Sequence, residues 1–265
     1  MGVIIDFPGR KDDQGMKLLT KLPEDLYTYV VTGYTDLRKS IPGLSQILEA
    51  YELDPRSRSI SFFCGRRIDR FKAFMYDGDG FIVMTKRFDS KKLKWPRNGG
   101  RDDGELWYLT NEQFERWMSG EHEINEKEID EGEDIVDPPV NKSPNTLFWH
   151  TIEERVYPRR IYLRTGYTDL RHSINTYCDI ADQYGLDSQA DTYFLFCGKR
   201  TDLMKVLYYD GDGYMLISKR FDSTHLKWPR EENEMWDVIY SQFMDFLAGK
   251  ELSREKICRI FEPKA

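Results

Sequence analysis

The sequence predicts an α+β protein: two repeated domains, each a mainly antiparallel sheet packed with one or two helices. Three observations lead there. Residues 62–96, FFCGRRIDRFKAFMYDGDGFIVMTKRFDSKKLKWP, return as residues 195–229, LFCGKRTDLMKVLYYDGDGYMLISKRFDSTHLKWP, and the offset of 133 positions holds without a gap from Thr32 and Thr165 to Pro96 and Pro229. Such internal identity marks a duplication. Within each copy, short apolar runs end at Gly and Asp turn residues, which reads as several strands. Each copy also holds one segment with apolar residues at helical spacing.

The elements follow in order. Residues 1–25 are mixed and polar, with a weak helical signal in MKLLTKL. A strand at 26–32 ends at Gly33 and is followed by GYTDLRKS, matched by GYTDLRHS at 166–173. Ser40 is a candidate N-cap, with Pro42 in the first turn where its missing N–H is not needed. Ile41, Leu44, Leu48 and Tyr51 then form one buried face, as do Ile174, Tyr177, Ala181 and Tyr184 in the second copy. A short apolar strand at 59–64 precedes a charged connection at 66–70. Strands at 71–76 and 81–88 flank DGDG and form a hairpin, because Asp-Gly takes the positive φ angles that such turns need. After KWP, a strand at 106–110 and an amphipathic helix at 111–120 close the first repeat, and 235–249 close the second. The domain division is therefore an N-terminal segment 1–25, a first repeat 26–120, an acidic linker 121–145, a second repeat 146–252 and a tail 253–265. The aromatic residues of 146–158 suggest that this stretch packs against something.

The net charge of −7 conceals a local contrast. Residues 121–137 carry nine acidic groups and one lysine, so the rest of the chain is close to neutral. Like charges and the following prolines keep such a segment solvated and extended. The first repeat core, 30–96, has an excess of five positive charges, whereas the second, 163–229, is about balanced. Local charge sets the field at a binding face, so an acidic chain is still compatible with a nucleic-acid partner. The four cysteines show no CxxC spacing, and Cys64 and Cys197 read as buried free thiols at equivalent strand ends. No apolar run approaches the roughly 18 residues that span a bilayer, and the start lacks the pattern of a signal peptide. A soluble cytoplasmic protein without membrane contact is expected.

Two features invite chemistry. The DGDG carboxylates, Asp77, Asp79, Asp210 and Asp212, are read as turn residues, with a metal site as the alternative; an EF-hand is excluded because its twelfth position would be Phe88. Cations recur in both copies: Arg38, Arg67, Lys72, Lys86, Arg87 and Lys94 match Arg171, Arg200, Lys205, Lys219, Arg220 and Lys227, while Arg66 and Arg70 strengthen the first copy and Lys199 the second. Lys91 and Lys92 add to the first. The hairpin is expected to place Lys72 near Lys86 and Arg87 at its open end. Either Asp36, Asp69, Asp89 and their counterparts neutralise these cations, or the cations form a phosphate-contact face with Trp95 or Trp228 adding stacking. A tryptophan before proline also reads as a core anchor. The four histidines fall at no equivalent positions, and no GxSxG, P-loop, HExxH or dinucleotide fingerprint occurs. A non-enzymatic binding protein without cofactor is expected, with no catalytic or metal residues assigned.

The ordered series G-x-T-D-L-R, an apolar helix, F-x-F-C-x-x-R, K-x-L-x-Y-x-DGDG-[FY], K-R-[FL] and K-W-P resembles the accessory protein family, TnpB, of insertion-sequence-66 elements. The resemblance covers about 90 residues in each copy. Members are usually a single domain, whereas this chain carries two copies. The resemblance implies a role in transposition beside a separate transposase, with DNA or that transposase as possible partners. It carries over no catalytic residue. The expectation is thus an accessory protein binding DNA or a transposase–DNA complex. Two alternatives are a protein-interaction module, built as an intrachain pseudo-dimer that docks on a transposase, and a metal-dependent nuclease using the DGDG carboxylates.

Overall fold

The structure, a computed structural model, describes residues 26–90, 92–96, 104–119, 138–139, 160–231 and 233–264. The helical signal before residue 26, Lys91, nearly all of the acidic linker and the aromatic stretch at 146–158 lie outside these. The strands are β1 (Tyr27–Val31), β2 (Ser59–Cys64), β3 (Arg70–Tyr76), β4 (Gly80–Phe88), β5 (Leu106–Leu109), β6 (Arg160–Arg164), β7 (Thr192–Cys197), β8 (Leu203–Tyr209), β9 (Gly213–Phe221), β10 (Met235–Val238) and β11 (Arg259–Phe261). The helices are α1 (Ile41–Ala50), α2 (Asn111–Ser119), α3 (Ile174–Gln183) and α4 (Tyr240–Leu247). Among the described residues no helix is long and apolar enough to cross a membrane.

The two copies do not hold separate sheets. All strands form one 11-stranded sheet in the order β11-β10-β6-β7-β8-β9-β4-β3-β2-β1-β5. Of these pairings only β1–β2 and β6–β7 are parallel, and the return between them is carried by α1 or α3. The copies meet where β4 pairs antiparallel with β9, from Gly80 opposite Phe221 to Phe88 opposite Gly213. At the centre Met84 faces Ile217, its own counterpart in the other copy, and Phe81 faces Arg220 as Tyr214 faces Arg87. A pseudo-two-fold axis therefore passes through the Met84–Ile217 pair, perpendicular to the sheet.

Alternation along the strands sorts the side chains onto two faces. On one, Ile82, Met84, Met215 and Ile217 join the inner residues of α2 and α4, Phe114, Trp117, Phe243 and Phe246, in a single core that runs through both copies. On the other, α1 and α3 each cover a separate core, Leu44 and Leu48 over Phe63 and Phe74, and Tyr177 and Ala181 over Phe196 and Leu207. Burial of the large aromatic side chains supplies the main driving force. Trp95 and Trp228 belong to the continuous core and donate to the carbonyls of Val31 and Arg164, which makes them anchors and removes the stacking expectation.

Local sequence accounts for the ends of these elements. Ser40 precedes α1 without a side-chain cap bond, with Pro in the first turn, while the Ser173 hydroxyl accepts from the Thr176 N–H at 3.5 Å. Before α2, Thr110 and Gln113 cap each other reciprocally at 3.2 and 2.9 Å. The tail is not a free extension: Arg259–Phe261 pairs with Met235–Asp237 as β11. Cys64 and Cys197 are buried free thiols, and burial pushes the Cys197 thiol up to about 12.

Candidate nucleic-acid interface

The DGDG turns do more than reverse the chain. Gly78 and Gly211 take φ of 95° and 96°, the left-handed values the turn demands. Gly80 and Gly213 answer to the joint instead: a Cβ there would lie 1.9 Å from the Arg220 carbonyl oxygen and 2.0 Å from that of Arg87. The carboxylates also cross the joint. Asp77 is fully buried and accepts from Lys219, while Asp210 and Asp212 both accept from Lys86. Lys86 and Lys219 are 3% and 1% exposed, so neither can reach a phosphate; this corrects their assignment as backbone contacts. Burial raises the carboxyl pKa of Asp77 and of Asp210, while the facing lysine opposes the rise; burial likewise lowers that of Lys219. Each such pair must be made in full, because either partner alone would be a bare buried charge.

The same alternation separates Lys72 from Lys86. Lys72 lies opposite Thr85 and Lys86 opposite Phe71, so the two lysines point to opposite faces and do not gather at the open end of the hairpin. Lys72 and Arg87 stand on the α1 face of β3 and β4, and Lys205 and Arg220 stand at the matching places on β8 and β9. The Lys72 ammonium donates to the Lys39 carbonyl at 2.8 Å, just before α1. That of Lys205 sits 5.6 Å from the centre of the Tyr177 ring. Burial first, and then the charge of Lys72, lower Lys205 to about 8. Burial also lowers Lys72. Arg87 donates to Asn175 at 2.6 Å and lies over the Tyr214 ring.

The remaining cations surround the GYTDLR loops, which are tied to the sheet by the Thr35 and Thr168 N–H groups donating to the Cys64 and Cys197 carbonyls at 2.8 Å. In the first copy the loop and the β2–β3 turn enclose a cavity of about 770 Å³ whose lining includes Tyr34, Arg38, Arg66, Arg67, Arg70 and Thr85. The turn carries Ile68 at φ 50°, and its counterpart Thr201 has φ 58°. A β-branched residue pays for this conformation, so the turn is held by its surroundings, including bonds from Leu93 and Leu226 to the Ile68 and Thr201 carbonyls. Arg66 lies over Tyr34, and Lys199 over Tyr167, at 5.8 and 4.5 Å.

Carboxylates do neutralise some of these cations. Arg38 and Arg171 bind Asp36 and Asp169 through two nitrogens, holding Asp36 down to about 2 and Asp169 lower. Arg70 pairs with Asp69, and Arg200 with Asp202. Asp89 instead accepts from the Tyr209 hydroxyl across the joint, at 3.0 Å. Among the described residues Arg66, Arg67, Lys72, Lys199, Lys205 and Arg220 make no ion pair. Lys94 and Lys227 are exposed beside the buried tryptophans. No three His, Cys, Asp or Glu side chains converge as a metal would require, again among the described residues.

The sequence reading missed the role of Asp77 and Asp210 as acceptors for the other copy. The phase of β4 carried the signal: Lys86 stands in line with Ile82, Met84 and Phe88, on the apolar side.

A duplicated α+β unit, fused through one sheet and carrying on one face cations without ion pairs among the described residues, is the class of protein these features define. The sequence model of the family described as IS66 Orf2 like protein matches residues 26–128 and 159–257. The chain belongs to this family, with both copies represented. Two relatives, both uncharacterized proteins of Sinorhizobium fredii (strain NBRC 101917 / NGR234), are similar to part of it. Protein y4hO is 31% identical over 78 residues, which is 29% of this chain and 68% of the relative. Protein y4jC is 32% identical over 92 residues, 34% of this chain and 75% of the relative. No solved structure matches. Family membership suggests an accessory role in transposition.

Proposed function

We propose that the protein is a non-enzymatic accessory factor of DNA transposition that holds DNA, alone or with the element's transposase, against the α1/α3 face of its sheet. The observation that carries this reading is the set of cations that make no ion pair among the described residues: Arg66, Arg67 and Lys72 in the first repeat, Lys199, Lys205 and Arg220 in the second. Holding lysines partly buried and unpaired costs folding energy, and a polyanion repays that cost on binding. Arg38, Arg171, Arg70 and Arg200 border the same loops and keep hydrogen-bonding capacity beyond their carboxylate partners. The carboxylates of Asp77, Asp210 and Asp212 are engaged by lysine, and that of Asp79 accepts from Ser223, which weighs against the nuclease alternative.

A salt series in fluorescence anisotropy tests the reading. Affinity for duplex DNA should fall linearly with the logarithm of salt, and Arg67→Ala should lower the slope by about 0.9 if it touches one phosphate. Absence of binding at low salt would end the DNA claim. The pseudo-dimer joined at β4–β9 favours a second reading, a module that docks on the transposase. Capture of the transposase without DNA by the intact chain would select it.

A further inference from the structure

The symmetry of the joint constrains which nucleic acid this face can take. The axis through Met84 and Ile217 is perpendicular to the sheet, so it carries Lys72 onto Lys205 and Arg87 onto Arg220 on one face. Lys72 and Lys205 stand three strand spacings apart, about 14 Å across the sheet, and are offset by two residues along it. This is the scale of a duplex groove, whose width runs from about 6 to 12 Å before the phosphates are added. Between the two lysines stand Val83 and Leu216, each buried in the core of its own repeat, and the partly exposed Thr85 and Ser218, with no acidic side chain among these strand positions. The apolar cores under α1 and α3 remain separate on this side, one to each repeat, and Arg87 of β4 reaches across to Asn175 of α3.

A two-fold pair of cation sets reads chain polarity. A single strand crossing the axis would meet the first repeat in one direction and the second in the reverse direction. The two strands of a duplex are antiparallel, and each presents the same sense to its own repeat; proteins with two-fold symmetry exploit this when they bind duplex sites. From the axis and the lysines placed about it we infer that the face binds double-stranded nucleic acid, one duplex per chain, centred on the Met84–Ile217 axis with one strand against each repeat. This inference rests on the nucleic-acid reading above and narrows it to a duplex straddling both copies. The depressed pKa of Lys205, caused by burial and by the nearby charge of Lys72, agrees with two cations awaiting a shared anion.

The test uses the intact chain with a short labelled duplex and each of its strands alone. The duplex should bind at least about tenfold more tightly than either strand, at one duplex per chain. Lys72→Gln and Lys205→Gln should each lower the salt slope by about 0.9, because each removes one phosphate contact from an equivalent strand. Cooperative urea unfolding with midpoints no lower than that of the parent chain verifies that the variants fold, and Arg220→Gln replaces Lys205→Gln if that variant does not. Equal affinity for duplex and single strand overturns the inference, as does one lysine proving silent while the other is required; in both cases the DNA reading stands. Failure to bind any nucleic acid overturns that reading and the inference with it.

Discussion

On the α2/α4 face of the β4–β9 joint, Lys86 and Lys219 are buried and each meets a carboxylate from the other repeat; on the α1/α3 face, Lys72 and Lys205 are partly buried and make no ion pair among the described residues. All four come from the same pair of duplicated hairpins, a single residue of phase deciding their fate. On the first face the apolar core is continuous through both copies, and a charge inside it persists only with a partner. On the second the cores are separate, and the lysines retain access to solvent at the seam. The difference teaches that one motif supplies both the lock that joins the copies and the cations that remain available.

The largest effect is expected from breaking the lock. Asp77→Asn should destabilise the chain by about 3–5 kcal/mol in urea denaturation, because it strands the buried Lys219. Replacing both partners, Asp77→Leu with Lys219→Met, should recover most of that loss, since the pair's own net contribution is small. A double variant as unstable as the single one would show that packing at this position, and not charge, governs the joint.

Next in size is close approach. Gly80→Ala places a methyl against the Arg220 carbonyl and should cost about 1–3 kcal/mol, with Gly213→Ala behaving alike by symmetry. Unequal costs would mean that the two ends of the joint differ in their capacity to shift. The smallest change is expected on the other face. Lys205→Met should raise stability by less than about 1 kcal/mol, because it removes a partly buried charge and relieves a like-charge neighbour. A loss of stability would overturn the claim that this lysine is maintained at a cost.

Stability against pH separates the faces further. Folded Lys205 releases its proton near 8 and the unfolded side chain near 10.5, so the unfolded state binds more protons between these values and stability rises with pH there. The groups that act on it are Lys72 and Asp169, with the Tyr177 ring beside it. Lys205→Met should remove this rise, as read from urea midpoints at pH 8 and above. Asp36 acts with the same sign in an acid window: its folded value of about 2 lies below the ordinary 3.8, so its contribution is present above the latter and is lost as pH falls through this window.

Much of each repeat was legible locally. The hairpin strands match the reading to within a residue or two, and the helical faces led by Leu44 and Tyr177 are buried as their spacing requires. The candidate site was legible as residue types but not as a surface. Lys72 and Lys86 look alike in a charge count, and only their opposite phase in β3 and β4 assigns one to a binding face and the other to the core. The Arg38–Asp36 and Arg171–Asp169 pairs are two residues apart, and their neutralisation was foreseeable from sequence. The conversion of the tail into β11 was not, because a three-residue strand declares itself only through the partner it finds.

The sequence by itself determined the duplication, the elements of each copy, the turn at DGDG and the supply of cations, since these depend on periodicity and on the backbone freedom of single residues. Tertiary structure alone decided that β4 and β9 would join, that Asp77 and Asp210 would cross to the other copy's lysines, and which cations would remain unpaired. Strand partners and salt-bridge partners across 124 and 142 residues are chosen by the packing of whole faces against one another, and no local pattern contains that choice.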